Sequence, residues 1–168
     1  MNDSLLVSPL IGPNATVKTK VKCTLKAYNG QYVCAEGGGG REVVANRNEA
    51  AGWEIFTLYY AKDNKVALQA NNGQYICAEG GGGREVVANR NIVSDWETFT
   101  LVDMGNNSVA LQAWNGQYVC AEGGGGREIV ANRNAIAGWE TFRMNIIETI
   151  SSVDSSLILV DIKSSTLL

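Results

Sequence analysis

Histidine is absent from this 168-residue chain, and proline occurs only twice. Without histidine, the side chain that most readily serves as a general base near neutral pH is missing. The commonest nitrogen ligand for zinc is missing with it, and none of the four cysteines forms a Cys-x-x-Cys pair. The sequence therefore predicts no metal, no cofactor and no catalysis. Charge is also sparse: the formal net charge is −3, too little of either sign to hold nucleic acid or a membrane surface by bulk attraction. No apolar run approaches the roughly 20 residues of a membrane-spanning helix. The opening residues, Met1-Asn2-Asp3-Ser4-Leu5-Leu6-Val7, have neither the basic start nor the apolar run of a signal peptide. These features predict a protein of the cytoplasm, or one released without a recognisable signal peptide, with neither nucleic-acid binding nor membrane insertion. The Asn14-Ala15-Thr16 and Asn106-Asn107-Ser108 sequons matter only in a secreted chain.

What the chain does have is 19 glycines, 45% hydrophobic residues and an internal repeat. The blocks NGQYVCAEGGGGREVVANRN, NGQYICAEGGGGREVVANRN and NGQYVCAEGGGGREIVANRN begin at Asn29, Asn72 and Asn115, 43 residues apart. Each is preceded by an apolar segment, of which Val66-Ala67-Leu68-Gln69-Ala70 is typical, and followed by Trp-Glu-x-Phe at Trp53, Trp96 and Trp139. Cys34, Cys77 and Cys120 occupy one repeat position, and three equivalent thiols cannot all pair. Cys23 stands where the other repeats carry Val66 and Val109. All four cysteines are therefore expected to be reduced.

Each unit reads as four short strands: the Val-Ala-Leu-Gln-Ala segment, Gln-Tyr-Val-Cys-Ala-Glu, Glu-Val-Val-Ala-Asn and Trp-Glu-Thr-Phe-Thr-Leu. Asn-Gly is a hairpin signal, because both residues tolerate positive φ. The four glycines read as a flexible hairpin tip, or as a place where a ligand comes close to bare backbone. They are not a phosphate loop, since neither Gly-Lys-Ser/Thr nor a helical pattern follows. A unit of about 43 residues is too small to bury a core alone. A propeller of the WD type has a similar period, but it needs at least about four blades and carries Gly-His and Trp-Asp signatures that are missing here. Three four-stranded units fit an all-β β-trefoil with pseudo-three-fold symmetry, whose closed barrel leaves no exposed sheet edge.

The pattern Leu-x-Ala-x-Asn-Gly-x-Tyr-x-Cys-Ala-Glu, a glycine run, Val-x-Ala-Asn-Arg and Trp-Glu-x-Phe resembles the fascin-like β-trefoil repeat. The resemblance covers about residues 22–146, with repeats at 22–64, 65–107 and 108–146. It implies a β-trefoil and two kinds of function, actin bundling or sugar binding. One trefoil with near-identical repeats resembles the single-trefoil carbohydrate-binding members more closely. The tails 1–21 and 147–168 carry Leu5-Leu6-Val7, Leu10-Ile11, Leu157-Ile158-Leu159-Val160 and Leu167-Leu168. They read as extended segments able to pair with each other or with a second chain, giving a homo-oligomer.

Candidate binding residues recur with the repeat. Trp53, Trp96 and Trp139 offer faces on which sugar rings stack, or they pack between repeats; the residues leave both roles open. Phe56, Phe99 and Phe142, three positions on, belong to the core, and strand alternation puts the intervening glutamate on their face. Glu36, Glu79 and Glu122 end the second strand, and Asn46-Arg47, Asn89-Arg90 and Asn132-Arg133 end the third. Hairpin pairing brings them together, either as an internal Glu–Arg pair or as donors and acceptors for vicinal hydroxyls. The expected arrangement is mixed, with Arg fixing Glu or Trp while Glu and Asn face a ligand. Arg41-Glu42, Arg84-Glu85 and Arg127-Glu128 read as solvated tips. Tyr28, Asn71 and Trp114 share one repeat position but differ, so sites that include them differ in affinity. The function predicted is a multivalent, lectin-like protein whose partners are glycans or polysaccharide. A fascin-like actin-binding or other protein-interaction module is the alternative.

Overall fold

Period-two patterning and turn residues give the chain twelve strands and no α-helix among the residues described, 17–152 of the computed structural model. The apolar tail segments Leu5-Leu6-Val7, Leu10-Ile11, Leu157–Val160 and Leu167-Leu168 lie outside the described residues, and so does the Asn14 sequon. The first repeat supplies β1 (Val17–Lys26), β2 (Tyr32–Ala35), β3 (Val43–Arg47) and β4 (Phe56–Ala61). The second supplies β5 (Lys65–Gln69), β6 (Tyr75–Ala78), β7 (Val86–Arg90) and β8 (Phe99–Gly105). The third supplies β9 (Ser108–Gln112), β10 (Tyr118–Ala121), β11 (Ile129–Arg133) and β12 (Phe142–Ser152).

The pairing is that of a β-trefoil. β1 pairs with β12 and β4, β5 with β4 and β8, and β9 with β8 and β12, all antiparallel, so six strands close a barrel. Closure satisfies backbone groups that an open edge would leave unpaired. The hairpins β2–β3, β6–β7 and β10–β11 cap one end. They interlock around the pseudo-three-fold axis: the Gly40 N–H donates to the Ala88 carbonyl, Gly83 to Ala131, and Gly126 to Ala45, each at 2.7 Å. β1 begins at Val17 and β12 runs to Ser152, so this ladder is longer than its counterparts and pairs Thr19 with Ser152.

Alternation places Phe56, Phe99 and Phe142 in the core, each 1% exposed, with Leu25, Leu68 and Leu111 beside them. Around the axis these side chains leave an apolar cavity of about 30 Å³. It has room for a water but no polar lining to hold one, so it is expected to be dry. All four cysteines are buried free thiols, as their repeat positions require. Cys23 sits in the barrel core at the place of the two valines.

Three local readings need correction. The fourth strand does not begin at the tryptophan. Gly52–Glu54, Asp95–Glu97 and Gly138–Glu140 each form one turn of 3-10 helix, and the strand starts at the phenylalanine. The Asn-Gly turn uses positive φ only at the glycine. Gly30 lies at φ 92, and its N–H bonds the Ala27 carbonyl at 2.9 Å, as in a three-residue hairpin loop. The glycine run is not a loose tip. Gly37 to Gly40 all have positive φ, Gly38 is buried, and the segment bonds across to the next repeat.

Candidate functional site

Each repeat builds the same frame around its arginine. β2 ends at Ala35 and delivers Glu36; β3 ends at Arg47, and the β2–β3 register pairs Tyr32 with Arg47. The Arg47 guanidinium donates from Nη2 to Glu36 Oε1 at 2.8 Å and from Nη1 to Asn46 Oδ1. Its Nε faces Glu54 Oε2 at 3.9 Å. Arg90 repeats the arrangement with Glu79, Asn89 and Glu97. Arg133 does so with Glu122, Asn132 and Glu140, and here both Nη atoms reach the Glu122 carboxylate, at 2.8 and 3.1 Å. The predicted Glu, Asn and Arg residues are thus brought together in all three copies, with the arginine's donors engaged inside the protein. The Glu36 hydrogen bond raises the Arg47 pKa, and Glu79 and Glu122 do the same for Arg90 and Arg133.

The residue that locks this frame, Glu54, was not among the candidates. It is only 4% exposed and closes its 3-10 turn by accepting the Ala51 N–H at 2.7 Å. Glu97 and Glu140 accept from Ser94 and Ala137 at 2.8 Å. Each of these glutamates also hydrogen-bonds the buried thiol of its repeat, Cys34, Cys77 or Cys120. Burial, reinforced by the glutamate, pushes Cys34 and Cys120 up to about 12, and Cys77 upward for the same reasons. Cys23 rises to about 12 through burial alone. The signal for Glu54 was present in the sequence: alternation put it on the same face as Phe56, and a carboxylate directed inward needs partners.

With the glutamate held inward, the tryptophan before it is turned outward. Trp53, Trp96 and Trp139 are 41–42% exposed. One edge of each ring rests on a buried glycine, so that a Cβ added to Gly38 would lie 3.1 Å from the Trp53 ring. The equivalent contacts put Trp96 on Gly81 at 3.1 Å and Trp139 on Gly124 at 2.9 Å. Trp53 borders an open depression of about 570 Å³, lined by Arg47, Asn48, Glu49, Ala51, Gly52, Trp53, Glu54 and Asn71. Asn71 belongs to the second repeat, so this depression lies at a junction between repeats. The same junction is fixed by the backbone: the Asn72 N–H donates to the Gly38 carbonyl at 2.8 Å, with Asn115–Gly81 and Asn29–Gly124 equivalent to it.

Arg41, Arg84 and Arg127 are largely exposed beside their neighbouring glutamates, as expected of tips. Among the described residues no group of three or more His, Cys, Asp or Glu side chains is arranged to hold a metal ion. No helix among them is long and apolar enough to cross a membrane.

The family described as a domain of unknown function, DUF7910, matches residues 18–75 and 69–119. No curated protein matches the chain. Several solved structures share the fold. The designed three-fold symmetric protein ThreeFoil has a TM-score of 0.66 at 17% identity, over 73% of this chain and 96% of that one. SeviL bound to asialo-GM1 saccharide has a TM-score of 0.62 at 14% identity, over 76% and 98%. The BEL β-trefoil has a TM-score of 0.59 at 16% identity, over 76% and 93%. At these identities the likeness is one of fold, and it is to single β-trefoils in general rather than to the fascin-like group in particular.

Proposed function

The chain belongs to the DUF7910 family, and we propose that it is a non-catalytic, multivalent carbohydrate-binding protein with one glycan site at each repeat junction. The observation that carries this reading is the set of three half-exposed tryptophans, each edge-packed on a buried glycine and held beside the same Glu–Arg–Glu frame. An indole fixed along one edge gives a rigid apolar face, which a pyranose ring covers at little entropic cost. The frame does not need to contact the sugar. Glu36 and Glu54 hold Arg47, Arg47 orders Asn46, and of these Arg47 and Glu54 line the depression. Exposed polar groups beside the ring, including the Asn48 amide and the Glu49 carboxylate at the first junction, suit hydroxyl recognition. Glu36, Asn46, Arg47 and Trp53, with their counterparts in the other two repeats, are therefore the proposed site residues, the tryptophan as the stacking face and the other three as the frame that supports it. Open, shallow sites of this kind bind weakly one at a time, and three on one rigid body gain avidity on a repetitive target. That a neighbour of the same fold holds a saccharide accords with this reading.

The carboxylates do not suit glycoside hydrolysis. Glu36 is paired to an arginine and Glu54 is bound to the backbone, in three copies, whereas hydrolysis needs two carboxyl groups in contrasting environments across one cleft. A glycan array that includes β-glucans and galactosides tests the proposal. Binding to a defined glycan class is the expected result. A blank array from folded protein would overturn it and direct attention to a protein ligand, with co-sedimentation on filamentous actin as the next assay.

A further inference from the structure

The three frames are alike, but the residue that each following repeat brings to the junction is not. At the first junction Trp53 meets Asn71: a Cβ on Gly38 would lie 3.1 Å from the indole and 3.6 Å from Asn71 Oδ1. At the second, Trp96 and Trp114 both lie against Gly81, Trp114 approaching the corresponding point to 3.5 Å. At the third, Trp139 and Tyr28 both lie against Gly124, Tyr28 coming within 3.3 Å of that point on Gly124 and within 2.9 Å of the corresponding point on Gly138. Trp114 and Tyr28 remain 58% and 70% exposed, so both offer ring surface to solvent.

A second variation falls at the same three junctions. Glu49 borders the first, and its repeat counterparts are Ile92, 64% exposed, and Ala135. The first depression therefore has a carboxylate and an amide on its rim. The equivalent positions at the second junction carry an isoleucine and a second indole, and those at the third an alanine and a phenol. The frame residues are the same at the three junctions, and these two positions are where the junctions differ.

We infer that the three junctions are graded sites for a neutral pyranose. Trp96–Trp114 and Trp139–Tyr28 are two-aromatic clefts of higher affinity, and Trp53–Asn71 is a weaker site that relies on hydrogen bonds. This rests on the carbohydrate reading above. Tyr28, Asn71 and Trp114 then set specificity. Two aromatic surfaces bury more of the apolar face of a sugar ring than one, and each such contact adds a discrete increment of affinity. An amide at the same position adds hydrogen-bonding capacity but no stacking surface.

The chain contains four tryptophans, and all four lie at these junctions. Protein labelled with 15N at the indole nitrogens can therefore be titrated with lactose and with cellobiose, each junction reporting its own binding curve. The expected result is that the Trp96, Trp114 and Trp139 signals move with a Kd roughly threefold to tenfold lower than Trp53. Trp114→Asn should bring the Trp96 curve to that of Trp53, and Asn71→Trp should shift the Trp53 curve the other way. One shared Kd for all the tryptophans would overturn the grading and leave sugar binding intact. Four signals that move with neither sugar, in a chain also blank on the array, would overturn both.

Discussion

Trp139, from the last repeat, and Tyr28, from the first, both lie against Gly124. Residues far apart in sequence thus complete a junction of the same design as those between consecutive repeats. The Asn29 N–H bonds the Gly124 carbonyl at 2.8 Å, the same length as its two counterparts. This closure makes the third junction a product of the whole fold, so loosening any repeat should disturb a site at its boundary.

The glycine run should be intolerant at its third position. Gly125 lies at φ 136 and ψ 171, a region open almost only to glycine, and a Cβ there would meet Asn29 Oδ1 at 2.1 Å. Gly30, at φ 92, has nothing within 4 Å of an added Cβ. Gly125→Ala should cost at least about 2 kcal/mol in urea unfolding, against about 1 kcal/mol for Gly30→Ala, where only backbone strain applies. Equal losses would mean that the interlock with the neighbouring repeat is not what confines the run.

The two kinds of glutamate should separate sharply. Glu97→Ala removes the acceptor for the part-buried Ser94 N–H and for the Cys77 thiol, leaving the buried thiol without a partner. A loss of about 1–3 kcal/mol is expected. Glu85 pairs with Arg84 at an exposed tip, and Glu85→Ala should change stability by less than about 0.5 kcal/mol. Urea midpoints for the two variants measure the contrast, and similar midpoints would remove Glu97 from its organising role.

The thiols should be inert and should weaken the fold only in alkali. Burial raises Cys23 from the ordinary 9.0 to about 12, so the folded chain keeps a proton that the unfolded chain loses. The contribution is therefore intact below pH 9 and is lost as pH rises from about 9 to about 12. Cys23→Val, which copies the residue of the other repeats, should leave stability near pH 7 almost unchanged and flatten its decline above pH 9. In the native chain at pH 8 a thiol reagent should label none of the four cysteines quickly, and all four should react in denaturant. Rapid labelling of one thiol in the native state would contradict its burial.

The architecture was legible in the sequence because the repeat imposes it. Three units of four strands, with Phe56, Phe99 and Phe142 on the inner face, leave little choice but a closed barrel. The pairing of Glu36 with Arg47 was also readable, since both end strands of one hairpin. The 3-10 turn at Gly52–Glu54 was not readable, because an alternating strand and a tight turn can bury the same glutamate, and only the Ala51 N–H distinguishes them. Nor could the sequence assign Asn71, Trp114 and Tyr28 to particular tryptophans. That requires knowing that each junction joins the glycine run of one repeat to the first hairpin of the next.

Isothermal titration of the strongest glycan from the array, into the native chain and into the Trp53→Ala/Trp96→Ala/Trp139→Ala variant, tests the central claim most directly. The account predicts a stoichiometry approaching three at saturation for the native chain, and loss of binding in a variant that still unfolds cooperatively. A folded triple variant that binds the glycan as the native chain does would contradict it.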